Sequence, residues 1–302
     1  MTQVKVESRT RTSLTSSRNN RRTMLVKRKV LQALESFSKY SLLIFLALIF
    51  LAPLGLILVW SLKTEVEIGA NPLSLPTMPH WENFVRVWNQ GRYSRYIPNS
   101  LIYSTSIAAG ACVFSCLAGY AFAKIRFPGR EILFTLFLIG LMVPFFSVMV
   151  PLYFLVRDLN ILGTRWALIL PGISLALPFG VFLMRSFFLS LPQELVEAAK
   201  IDGCSELGAF LHVMLPLAYP GLATLAVFEF MWTWNMFVEP LVLVQRDILR
   251  SAGLAVVLFQ DAHSLDRGMI ATGVVFTILP IIIMYLLLQR KFIEGITAGA
   301  LK

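Results

Sequence analysis

Long apolar runs alternate with short polar connections along this chain. A membrane-spanning helix needs about 20 mostly apolar residues. Six stretches reach that length, at roughly Tyr40 to Ser61, Pro98 to Ala123, Ile132 to Phe154, Trp166 to Phe188, Met214 to Val244 and Met269 to Gln289. Each is read as a transmembrane helix, because a helix satisfies its own backbone polar groups in lipid. The fifth is too long for one straight crossing, and Pro216, Pro220 and Pro240 predict a kinked or re-entrant portion there. In the third, Pro144 and Pro151 are spaced by nearly two turns, so both are expected on one face of a single kinked helix. The expected fold class is all-α and integral to a membrane. Residues 1–39 form a basic tail, poorly ordered at its start, and residues 40–302 the transmembrane domain.

Between the fourth and fifth spans lies a polar insertion, about 190–216, with helix punctuation of its own. Ser190 and Gln193 have capping-box spacing, Pro192 sits in a first turn, and Glu194 and Glu197 lie near the positive end of a helix dipole. The helix is predicted to stop at Gly203 and a second to start from Ser205, which Pro216 then ends or kinks. Elsewhere, Asn71, Pro72, Pro76 and Pro79 mark an irregular loop after the first span. Trp81, Phe84, Val85 and Trp88 have helical spacing and are expected to lie on the outer membrane surface. Residues 245–268 read as an external loop of mixed charge.

Composition agrees with a membrane protein. The chain has 302 residues, 57% hydrophobic and 15% charged, with a mean hydropathy of +0.71, outside the range of ordinary soluble domains. With six spans both termini share a side, and the segments on that side hold 18 of the 27 Lys and Arg residues, which predicts cytoplasmic termini. The net charge of +10 then reflects a tail held against anionic lipid. No aromatic interleaving or binding module accompanies it, so nucleic acid is not an expected partner. Cys112 and Cys116 fall inside the second span, where Cys acts as a small apolar residue, and His80, His212 and His263 lie in separate segments, so no metal site is expected. An intramembrane enzyme would need a nucleophile and base or a carboxylate cluster, and the sequence has no H-E-x-x-H or G-x-S-x-G and only an isolated Glu229 at membrane depth. A charged carboxylate there costs about 2.5–3.5 kcal/mol, so Glu229 should face the protein interior, a partner or a water-filled path.

Glu197-Ala198-Ala199, then Gly203, Val213 and Leu215-Pro216, resemble the EAA signature of permease subunits of ATP-binding cassette importers, with Val213 in place of the usual Ile. The resemblance implies that the 190–216 segment is a coupling helix docking on a cytoplasmic ATPase subunit through Glu194, Glu197, Ala198, Ala199, Asp202, Gly203, Leu215 and Pro216. Ala198, Ala199 and Gly203 would supply a small-residue face, and Glu194, Glu197 and Asp202 the acidic groups that set register. Further matches resemble carbohydrate permeases: Gly119 to Lys124 followed by Arg126-Phe127-Pro128-Gly129-Arg130, Met142-Val143-Pro144 through Pro151-Leu152-Tyr153, the Trp234-Asn235-x-Phe237 run, and the tail from Gln289 to Lys302, which is similar to maltose-type systems. Where such permeases commonly carry an acidic residue, Met236 stands.

These resemblances imply a non-catalytic sugar-importer subunit in a bacterial plasma membrane. They imply a heterodimer with a second permease, two ATP-binding subunits carrying Mg-ATP, an extracytoplasmic solute-binding protein, and no cofactor in this chain, which lacks a Walker A sequence. Glu229, Phe230, Trp232, Trp234, Asn235 and Phe237 are the expected pathway residues, since aromatic faces and polar groups suit sugar C–H faces and hydroxyls. A polyol, glycerol phosphate or peptide cargo remains the alternative.

Overall fold

A computed structural model describes residues 35–255, 260–261 and 264–300, so the basic start of the chain lies outside the described residues. The chain divides into two units, residues 1–57 and 58–302. The first carries most of α1 (Glu35–Ser61), whose exposed apolar surface has the length and hydropathy of a span.

In the second unit the frame is α4 (Tyr93–Lys124), α7 (Trp166–Ser190), α11 (Tyr219–Trp234) and α14 (Arg267–Ala300). Small residues let α4 and α7 touch backbone to backbone: a methyl on Gly119 would lie 2.6 Å from Met184 Cβ and 2.8 Å from the Arg185 nitrogen. The two helices run in the same direction. Asn99 and Arg165 bond near their starts (3.2 Å), and Lys124 Nζ donates to the Leu191 carbonyl just past their ends (2.7 Å). Helix α11 runs the other way, from Gly221 packed on Phe187 to Trp234, whose Nε1 donates to Thr277 O of α14 (3.0 Å).

Two expected spans are bent. The third is α5 (Arg130–Met142) and α6 (Phe145–Asp158), set at 101° to each other. Pro144 forces the break: Val143 before it is extended, the conformation a following proline favours. The expectation that Pro144 and Pro151 share a face of one helix therefore fails, and only Pro151 sits inside a helix. The fifth bends by 73° at Ala218, between Pro216 and Pro220 as the prolines suggest, and α11 stops before a short α12 (Val238–Leu243) that holds Pro240. Among the described residues, four helices pass as spans singly, and up to six if each bent pair counts as one span.

The loop after α1 is more ordered than its prolines suggest. Thr64 and Glu67 form a reciprocal capping box that starts α2 (Glu65–Ala70). Buried Lys63 donates to the carbonyls of Asn71 (2.7 Å) and Ser74 (3.0 Å), which closes the loop around one cation. Helix α3 (Glu82–Gln90) also departs from expectation. Val87 is fully buried, and the Phe84 and Trp88 rings lie 5.7 and 5.5 Å from Phe276, so α3 is pinned to α14 rather than merely resting on lipid, with Trp81 and Val85 left exposed.

The segment after α12 is stitched to the first three turns of α4. Tyr96 donates to Asp247 (2.6 Å), which also pairs with Arg92, Asn99 donates to the carbonyls of Ile248 (2.8 Å) and Arg250 (3.1 Å), and Tyr103 donates to Leu249 O (2.8 Å). Among the described residues, the only strands are Gln260–Asp261 and Ser264–Leu265, an antiparallel pair of two residues each.

Asp247 gives this stitch a pH signature. The Tyr96 hydroxyl, with Arg92 and Arg250, holds its carboxyl below the ordinary 3.8. A lowered native value means that stability is present above the unfolded pKa and lost as pH falls through the folded one. Wild-type thermal stability should therefore drop below about pH 3.8, and Asp247→Asn should flatten that part of the profile. A superimposable profile for the variant would deny the carboxylate its part in the stitch.

Candidate functional site

The end of the bundle where α4 and α7 finish carries the 190–216 segment. Helix α8 (Glu194–Ile201) starts from Gln193 without a side-chain cap. The expected capping box does not form, because Ser190 belongs to the last turn of α7 and its hydroxyl donates to Phe187 O (2.7 Å). The predicted stop is where expected. Gly203 adopts φ +89°, Cys204 N donates to Ala199 O (2.9 Å) and Gly203 N to Lys200 O (3.1 Å), a Schellman termination. Ser205 then caps α9 (Glu206–Ala209) by accepting from Gly208 N (3.1 Å). A π-helical turn, Phe210–Met214, and α10 (Leu215–Leu217) lead into the bend before α11.

The segment has two faces. Val196, Ala199, Ala209, Phe210 and Met214 are buried in one cluster with Tyr120 of α4 and Phe188 of α7. Ala199 thus packs inward, whereas Glu194, Glu197, Ala198, Asp202, Gly203 and Pro216 are exposed and Leu215 is half-buried. Ile201, 86% exposed, and Leu207 extend the outward face. Glu206 fastens the segment: one oxygen accepts from Tyr120 OH (2.9 Å) and the other pairs with Lys200 Nζ (2.5 Å). At the same end Arg185 holds both oxygens of Glu131 at 2.8 Å, tying α7 to the start of α5.

The six expected pathway residues do not converge. Phe230 and Trp234 stack on each other (5.8 Å, 14°) and are buried toward α14. Asn235, exposed, donates back to Met231 O (2.8 Å), and Phe237 is also exposed. Glu229 and Trp232 instead line a cavity of about 360 Å³ with Phe145, Phe179, Met236 and Glu239. Glu239 escaped the sequence reading because it follows the run that carried the resemblance. Its turn around Pro240 was the available signal. No group of three or more His, Cys, Asp or Glu side chains suited to a metal exists among the described residues.

Residues 112–294 match the family described as "Binding-protein-dependent transport system inner membrane component". The diacetylchitobiose uptake system permease protein of Streptomyces coelicolor is 34% identical, over 87% of this chain and 88% of its own. The arabinooligosaccharides transport system permease protein of Halalkalibacterium halodurans is 37% identical, over 85% and 93%. The trehalose transport system permease protein of Mycobacterium tuberculosis is 32% identical, over 80% and 89%. The fold is that of a chain from a bacterial ABC transporter involved in the import of the acidic polysaccharide alginate, with a TM-score of 0.74, 23% identity, and coverage of 85% of this chain and 96% of that one. By family match and relatives alike, the chain belongs to the binding-protein-dependent transport system inner membrane components, and is a non-catalytic, multi-pass permease subunit of an ATP-binding cassette importer.

Proposed function

We propose that this permease imports a carbohydrate across a bacterial plasma membrane, with both termini in the cytoplasm and the 190–216 segment docking on an ATPase subunit. Relatives named for diacetylchitobiose, arabinooligosaccharides and trehalose support the cargo class. A second permease in a heterodimer, two ATP-binding subunits that carry Mg-ATP, and an extracytoplasmic solute-binding protein complete the assembly. One observation carries the docking reading: α8 turns Glu194, Glu197, Ala198, Ile201 and Asp202 outward at one tip of the bundle while Val196 and Ala199 root it in the core. An exposed Ile ringed by acidic groups suits a partner surface with an apolar pocket and a basic rim. Of the pathway residues, Glu229 and Trp232 are assigned to cargo contact. Phe230 and Trp234 pack toward α14, and Asn235 and Phe237 lie where α11 ends.

Co-purification with the ATP-binding subunits tests the docking. Glu197→Lys reverses one charge of the outward face, and Ile201→Asp removes its apolar anchor, so each should lower retention of the ATPase about tenfold or more. Wild-type retention by both variants would overturn the assignment.

A further inference from the structure

We infer that Glu229 and Glu239 form a subsite for the hydroxyl groups of the transported saccharide, with Trp232, Phe145 and Phe179 as its apolar walls. The inference rests on the carbohydrate reading above and deepens it.

Glu229 is only 6% exposed, lines the cavity, and has no hydrogen bond or ion pair among the described residues. A carboxyl group left so in an apolar surround is costly, and a ligand that donates hydrogen bonds relieves that cost. Glu239 of α12 borders the same cavity, so acidic residues from two different helices line it.

Both flanking helices break at this place. Helix α5 ends at Met142 ahead of Pro144, with Gly140 and Leu141 of its last turn on the cavity wall, and α11 ends at Trp234 before α12 begins. No Lys or Arg lines the cavity. Such a site selects a donor-rich, non-anionic ligand, and the aromatic walls suit the C–H faces of a sugar ring. Phe230 and Trp234, engaged with α14, are not part of it.

The test uses the complete importer in proteoliposomes, with its partner permease, ATPase subunits and solute-binding protein, ATP inside, and a panel of labelled neutral mono-, di- and trisaccharides outside. Spermidine serves as a cationic probe in parallel. Glu229→Gln and Glu239→Gln are each expected to lower the initial saccharide uptake rate about 10- to 100-fold while still co-purifying with the ATPase subunits. Wild-type saccharide uptake that survives both substitutions within about twofold overturns the subsite and leaves the carbohydrate reading standing. Uptake of spermidine but no saccharide, or of neither, overturns the carbohydrate reading and the subsite with it. Should a Gln variant fail to assemble, Glu239→Cys is labelled with a maleimide in the intact complex. Slower labelling in the presence of the transported saccharide supports the subsite, and equal labelling overturns it.

Discussion

Gly203→Pro is expected to abolish ATP-driven uptake while the membrane helices stay folded. Gly203 sits at φ +89°, a region proline cannot enter, and its N–H, which proline lacks, donates to Lys200 O at 3.1 Å. The chain would have to leave α8 by another route, carrying the Cys204-to-Ala199 bond and the aim of the outward face with it. Gly203→Ala separates conformation from crowding. A Cβ there meets nothing within 4 Å, so alanine suffers only the left-handed strain of about 1–2 kcal/mol. The expected order is therefore a mild loss for alanine and a complete one for proline, read as saccharide carried per ATP hydrolysed and as ATPase retained on purification. A proline variant that transports at the wild-type rate would mean that the exit geometry of α8 does not matter to coupling.

The order of spans was legible because bilayer thickness dictates their length, and composition alone separates them from the connections. The breaks were legible only as prolines. Pro144 and Pro151 look alike in sequence, yet Val143 is extended while α6 runs unbroken through Pro151, a difference that neither proline announces. Helix α2 was readable in principle, since Thr64-x-x-Glu67 is a capping box, but the prolines after it drew the segment toward a loop. Gly203 and Ser205 were legible because helix-end chemistry is local, whereas Ser190 was claimed by the preceding helix. The two faces of α8 were not separable by residue type: Ala198 and Ala199 are identical, and only the position of Tyr120 and Phe188 beneath decides which one is buried. The same holds for Glu239, whose role depends on a cavity that three distant segments enclose. The polar stripe of α4 at Tyr96, Asn99 and Tyr103 had helical spacing, but its partners lie some 150 positions away.

Tyr120→Phe should uncouple the transporter as strongly as any change outside the outward face of α8. Tyr120, 4% exposed near the end of α4, packs its ring on Phe188 (5.6 Å) and Phe210 (4.9 Å) and donates its hydroxyl to Glu206. Glu206 in turn holds Lys200 of α8. If the 190–216 segment docks as proposed, a push on it reaches α4 through the Glu206–Tyr120 bond as well as through the apolar cluster. Deleting the hydroxyl keeps the ring and leaves the packing intact. A hydrogen bond to a charged group contributes about 1.5–3 kcal/mol, so a loss near tenfold or greater in transport per ATP is expected. Lys200→Met should do far less, because that pair is roughly half exposed (48% and 41%) and such pairs contribute about 0–1 kcal/mol. Glu206→Leu, which has no acceptor, should match Tyr120→Phe, and the double variant should be little worse than either, since both remove the same bond. Wild-type transport per ATP in Tyr120→Phe would show that force enters the bundle by the apolar cluster alone and that Glu206 merely decorates it.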